Sequence, residues 1–171
     1  MNKNNPIKVS KRLKEIFFDY LVILIYLALL LIISLAAFTF IVKEVPRFTY
    51  IQAQLIAFLA SILPIVLIFS LLDCLKPFGT FGKRKAGLMV RYKRPSFFRS
   101  LLRNCIKFLP WQLAHIGVIE GVYGGDASLT ATIFSSVAML LAIIMLCMGL
   151  FRKDKRHLGD IIAGTQVVVR A

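Results

Sequence analysis

Three long apolar runs restrict what this chain can become. Ile16 to Val42 carries a single charge, Asp19, while Ile51 to Leu72 and Leu129 to Leu150 carry none. Each run is 22 residues or longer, and a helix needs roughly 20 predominantly apolar residues to cross the bilayer core. A soluble fold of 171 residues does not supply three such runs. The chain therefore reads as a multipass membrane protein, with lipid as one of its solvents. Composition agrees: 58% of residues are hydrophobic and the mean hydropathy is +0.78, against the roughly 45–50% apolar content of soluble domains. The length fits one membrane domain, residues 1–171.

Charge sets the expected topology. The net charge is +14, from 22 Lys and Arg against 8 acids. On a soluble domain that excess would suggest nucleic acid. On a membrane protein it holds basic loops against anionic cytoplasmic lipid and fixes orientation, so no nucleic-acid partner is expected. The first 15 residues carry Lys3, Lys8, Lys11, Arg12 and Lys14 against Glu15, and residues 76–107 carry ten basic residues and no acid. The loop around Lys43, Glu44 and Arg47 is nearly balanced, and residues 120–127 carry Glu120 and Asp126 and no base. The positive-inside rule places the first two segments and the tail from Arg152 in the cytoplasm. Parity then demands a crossing between residues 76 and 129, and the only stretch for it is Phe97 to Val122. That stretch contains Arg99, Arg103, Lys107 and Pro110. It is expected to be broken at Pro110, partly interfacial before it and spanning after it, the alternative being a re-entrant or purely interfacial helix.

The predicted fold is thus an all-α membrane protein: a four-helix transmembrane bundle whose third helix is broken and partly interfacial, with a small cytoplasmic two-strand β cap. The helices fall at about 16–42, 51–75, 108–122 and 128–150, with cytoplasmic segments 1–15, 76–107 and 151–171. The first run is about twice the length of a signal-peptide core and is expected to be retained. Leu88 to Tyr92 and Thr165 to Val169 are β-prone. Two such strands pair rather than stand alone, with Gly164 ending a short helix before the second.

Arg99, Arg103 and Lys107 recur every four residues and form one stripe on a helix. With Lys83, Arg84 and Lys85 they are the expected contacts of anionic headgroups. Asp19 lies inside an apolar run, where a carboxylate is costly unless paired. Arg12, seven residues before it, and Arg103 are its candidate partners. Asp19 is either a proton or cation site or an ion-paired staple. Asp160 is a second interfacial acid, able to buttress backbone or pair with Arg12. His115 and His157 read as hydrogen-bonded polar side chains rather than ligands. Cys74, Cys105 and Cys147 show neither metal-ligand nor disulfide spacing. Gly79 to Lys83 lacks the spacing of a phosphate loop, and no catalytic carboxylate pair or serine triad is visible. No enzymatic activity, metal or cofactor is expected.

Arg12 with Asp19, Gly79-Thr80-Phe81-Gly82-Lys83-Arg84 with Gly87-Leu88-Met89-Val90, Arg103-Asn104, and Arg156-His157-Leu158-Gly159-Asp160 through Val168 resemble the RDD family of bacterial membrane proteins. The resemblance spans roughly residues 11–169, and its most specific part is Asp160 to Thr165 with the valines that follow. The family is named for one arginine and two aspartates, which the resemblance maps to Arg12, Asp19 and Asp160. One departure is that Pro77 and Phe78 occupy a region where members commonly carry a further Gly. The resemblance implies a multipass protein of the bacterial cytoplasmic (inner) membrane. Two functional classes remain open. One is a small proton- or cation-linked transport component acting as an oligomer. The other is a non-transporting accessory or scaffold protein that assembles or stabilises a membrane complex. Expected partners are anionic lipid headgroups and either further copies of the chain or another membrane protein.

Overall fold

The computed structural model describes residues 7–43, 46–124 and 128–170. Glu44 and Asp126, two of the charges used to place the loops, lie outside the described residues. Helix α1 runs Val9–Ala36 and continues as a π-helical turn, Ala37–Val42. Helix α2, Tyr50–Ile56, passes through a π-helical stretch, Ala57–Ile62, into α3, Leu63–Cys74. A short helix α4, Phe81–Lys85, precedes strand β1, Leu88–Tyr92. Two long helices follow, α5 at Phe97–Gly124 and α6 at Leu129–Phe151. The chain closes with α7, Leu158–Ala163, and strand β2, Thr165–Val169. Three helical stretches, Val9–Phe40, Tyr50–Cys74 and Leu129–Phe151, are long and apolar enough to cross a membrane.

Burial is inverted relative to a soluble protein. Large apolar side chains lie open along the long helices, among them Ile32, Ile33, Leu140 and Ile143. Arg12, Asp19, Asp73, Lys83, Arg103 and Asp160 are buried. Lipid is as apolar as leucine, so it gives helices little reason to hide apolar faces from it. It gives polar groups every reason to find each other. A modest apolar core remains, built of Ile23 from α1, Ile62 from the π-helical stretch, Ile65, Val66 and Phe69 from α3, and Phe108 from α5.

Specific polar and small-residue contacts hold the long helices together. Pro64 has no N–H to offer the carbonyl four residues back, at Ala60. The Tyr26 hydroxyl from α1 donates to that oxygen at 2.5 Å, which satisfies it in a medium without water. Ser70 on α3 and Ser100 on α5 are both fully buried and exchange hydroxyl-to-carbonyl bonds, Ser100 Oγ to Ser70 O at 2.8 Å and Ser70 Oγ to Ser100 O at 3.5 Å. Side chains this small let the two backbones approach closely. Gly117 does the same for α5 and α6, since a Cβ there would overlap Ser135 Oγ. At the far end of α5, Glu120 accepts from the Tyr50 hydroxyl, and the Thr49–Gln52 capping box starts α2 beside it.

The strands pair as the β-prone runs suggest. The register is antiparallel, from Leu88↔Val169 to Tyr92↔Thr165. Leu88 and Val167 face inward with Ala86 and Ile7 to form a second small core. Gly164 ends α7 in the left-handed conformation, φ 67°, which glycine adopts without steric cost. Phe78 takes a similar φ of 56°.

One expectation is corrected. Helix α5 is not broken: it runs unbroken for 28 residues with Pro110 inside it. Proline removes one backbone hydrogen bond and crowds one carbonyl. A helix flanked along its length by α3 and α6 absorbs that loss, as packed membrane helices do.

Candidate functional site

The candidate site is a buried polar cluster where α1, α3, α4, α5 and α7 converge. Four carboxylates, Glu15, Asp19, Asp73 and Asp160, meet four cations, Arg12, Lys83, Arg103 and Lys107. Half of the chain's 8 acids are gathered here. The cluster's fixed charges cancel, so the +14 of the whole chain is carried outside it.

Helix geometry supplies the α1 wall. Arg12, Glu15 and Asp19 follow one another at offsets of three and four, which stacks them on one face. Arg12 donates to Glu15 Oε2 at 2.6 Å, to the Gly149 carbonyl at 3.4 Å and to the Lys155 carbonyl at 3.2 Å. It thereby ties α1 to the end of α6, whose last carbonyls have no helical partner. Asp19 accepts from Thr80 Oγ1 and from the Gly82 backbone N–H, both at 2.8 Å. That seating presses α4 onto α1: a Cβ at Gly82 would overlap the Glu15 carbonyl oxygen. Lys107 Nζ lies 3.6 Å and Lys83 Nζ 3.9 Å from Asp19 Oδ2. Neither Arg12 nor Arg103 is its partner.

Asp73, at the end of α3, is the hub. It is fully buried. Arg103 reaches it at 2.5 Å, Lys83 at 3.1 Å, the Thr80 N–H at 3.2 Å and the Asn104 amide at 3.4 Å. Arg103 continues to Asp160 Oδ1 at 2.7 Å, so one guanidinium bridges α3 and α7 from α5. Asp160 also accepts from Thr165 Oγ1 at 2.7 Å, which locks α7 to β2. Burial alone would raise the Asp160 pKa, yet Arg103 and then His157 hold it well below the usual carboxylate range. His157 caps α7 by accepting from the Gly159 N–H through Nδ1 at 3.1 Å. Its Nε2 stands 3.2 Å from Asp160 Oδ2 and 3.4 Å from Arg103 Nη2. Burial pushes the His157 pKa down to about 4, leaving a neutral ring near pH 7.

Arg12, Asp19 and Asp160, the three residues that the resemblance singles out, thus share one cluster, although no two of them pair directly. Asp160 pairs with Arg103 rather than Arg12. The basic stripe of α5 turns inward: Arg103 is buried, Lys107 faces Asp19, and Arg99 is half-buried and donates to the Ala163 carbonyl at 3.3 Å. Lys83, expected among headgroup contacts, is instead fully buried. It faces acids on α1 and α3, a closer source of negative charge than the membrane surface. Arg84 and Lys85 remain exposed. His115 is half-buried, with Nδ1 3.0 Å from the Trp111 carbonyl oxygen.

Asp73 and the pairing role of Glu15 were missed from sequence. One signal was available for Asp73. It is the first charge after the uncharged run Ile51 to Leu72, beside a segment with ten cations and no acid.

From the cluster a groove of about 730 Å³ runs between α1, α5 and α6. Arg12, Glu15, Asp19 and Lys107 line one end, and Ile23, Leu27, Trp111 and Met139 are among its apolar walls.

No curated protein and no solved structure matches the chain. The RDD family model matches residues 8–164, nearly the whole chain and every element that builds the cluster, and the protein belongs to the RDD family.

Proposed function

We propose that this RDD-family membrane protein is a small proton- or cation-linked transport component of the cytoplasmic membrane that acts as an oligomer, with Asp19 as its coupling carboxylate. The observation that carries this reading is the groove, which ends on Asp19 and Lys107. A carboxylate inside an apolar segment is costly and by default marks a functional site. Here its nearest cation is held by charge alone, at 3.6 Å, so a proton or a metal cation can take the place of Lys107 without breaking a hydrogen bond. Beyond the cluster the groove walls are largely apolar, and among the described residues one copy offers no polar path across the membrane. Further copies would complete it.

The reading includes four crossings, with α5 as the third, and termini, β cap and residues 76–107 on the cytoplasmic side. Its support is the ten cations without an acid in that segment and the length of α5, 28 residues or about 42 Å at 1.5 Å per residue. Cysteines at positions 85 and 124, in a variant lacking the native thiols, should label from opposite faces of sealed vesicles. Labelling from one face would remove the third crossing.

The accessory or scaffold reading is favoured by a different observation: the cluster is charge-balanced and every acid in it is paired. Reconstitution into liposomes separates the two. With a pH-sensitive dye inside, an imposed sodium or potassium gradient should drive proton flux through the wild-type protein. Asp19→Asn should fold and carry none. Wild-type flux no greater than that of empty liposomes, or full flux through Asp19→Asn, would sink the transport reading and leave the accessory one.

A further inference from the structure

The groove has a two-part lining that the cluster alone does not explain. Its walls are apolar and open to the membrane: Leu24, Met139 and Leu146 line it and are exposed. Its volume of about 730 Å³ lies within the ~300–1,000 Å³ range of small-molecule sites. At its polar end almost every group is already satisfied. Both Asp19 oxygens accept hydrogen bonds, Glu15 accepts from Arg12, and all three Arg12 nitrogens donate.

Lys107 is the exception. Its ammonium stands 4.8 Å from the Phe69 ring centroid and 5.2 Å from that of Phe108. Asp19, at 3.6 Å, is beyond hydrogen-bond reach, and the side chain is 27% exposed. Among the described residues it has no hydrogen-bond acceptor. An ammonium carries three N–H donors, and Lys107 lines the groove, so an acceptor that enters the groove can reach it. The groove that reaches Lys107 is otherwise walled by apolar side chains, which suits an acceptor carried on an apolar ligand. Lys11 and Lys14, exposed on the same end of α1, add positive potential there.

We infer that the groove binds one anionic phospholipid, an acyl chain lying along α1 and α6 and its phosphate accepting from Lys107. Basic pockets between membrane helices are a recurrent way to hold anionic headgroups. The site stands without the transport reading, because lipid retention is measured with no gradient applied.

The test is native mass spectrometry of the full chain in a neutral detergent, titrated with phosphatidylglycerol or with phosphatidylcholine of the same acyl chains. The wild-type protein should retain one phosphatidylglycerol per copy in clear preference. Lys107→Gln should weaken that retention about fivefold, the weight of one basic group near an anionic surface, and Lys107→Arg should restore it. Ala142 lines the groove at an exposed position, so Ala142→Phe should fold and expel the lipid while leaving the cluster untouched. Equal retention of the two lipids, or a phosphatidylglycerol still held by Ala142→Phe, would overturn the site. So would its displacement by soluble glycerol phosphate, which would reduce the site to a headgroup pocket. Disulfide cross-linking of two copies through Ala142→Cys in vesicles would put a second chain in the groove, and that too would overturn it.

Discussion

Asp73 offers the sharpest test of what holds this molecule together. It is fully buried and accepts from Arg103, Lys83, Thr80 and Asn104. Removing one partner of a buried ion pair costs about 3–5 kcal/mol, because it strands the opposite charge. Two features moderate the loss here. Arg103 keeps Asp160 at 2.7 Å, and Lys83 keeps Glu15 at 3.5 Å. Asp73→Asn also retains an acceptor oxygen, so it belongs at the lower end of the range and Asp73→Ala at the upper. For a chain of this size each kcal/mol moves the melting temperature by about 2–4 °C, so the losses span about 6–20 °C. Thermal unfolding in detergent at one fixed heating rate reads them. The charge argument has a second consequence. Lys83→Met alone leaves the cluster one negative charge in excess, while Lys83→Met with Asp73→Asn leaves it neutral. The double variant should therefore lose less stability than the sum of the singles, with a coupling of roughly 0.5–3 kcal/mol. Asp73→Asn melting within a degree or two of wild type, or strict additivity with Lys83→Met, would refute charge balance as the organising principle.

Two further outcomes follow from the geometry. Tyr26→Phe withdraws the donor from the Ala60 carbonyl and should cost about 0.6–1.7 kcal/mol, the span measured for hydrogen bonds between membrane helices. In a Pro64→Ala background the backbone N–H returns, so the same change should cost almost nothing; an equal loss in both backgrounds would dissociate Tyr26 from the proline. His157 is neutral and buried, with its pKa lowered from 6.5 to about 4, so between those values the unfolded chain binds the extra proton. Its contribution is intact above pH 6.5 and is lost as pH falls toward 4, by at most about 3 kcal/mol. His157→Asn keeps a cap for α7 and should flatten the pH dependence of melting across that window; an unchanged slope would exclude His157 as its source.

What the sequence disclosed tracks how local each signal is. The three apolar runs needed only length and composition, and all three became helices long enough to span. The β1–β2 pairing came out as expected because two short β-prone runs must pair to satisfy their backbone groups. The failures concern direction and distance. The spacing of Arg99, Arg103 and Lys107 shows that they share a face, but not which way that face points. The direction is set by Asp73, 30 residues before Arg103, and by Asp160, 57 residues after it. Asp73 was passed over because it stands just outside an apolar run, where a carboxylate looks harmless. Only the fold reveals that the end of α3 is buried under α4 and α5. Pro110 carries a strong local signal for a break, yet the packing of α5 between its neighbours outweighs it.

On the proposed reading function and stability share the same residues, so a single substitution in the cluster changes both. Asp19 accepts from α4, Asp73 joins α3 to α4 and α5, and Asp160 joins α5 to α7 and β2. A variant at any of them changes both the charge and the scaffold. Lys107 is different in kind. It faces the groove, it balances Asp19 through space, and it bridges no two elements by hydrogen bonds. Its removal leaves the bonds to Asp19, Asp73 and Asp160 in place while altering the potential at the groove's polar end. A pure staple would have used that ammonium in a hydrogen bond, as it uses Lys83 and both buried arginines. A cation that lines the end of an apolar groove without a hydrogen bond of its own is what both proposals rest on, the proton competing for Asp19 and the phosphate arriving from the membrane.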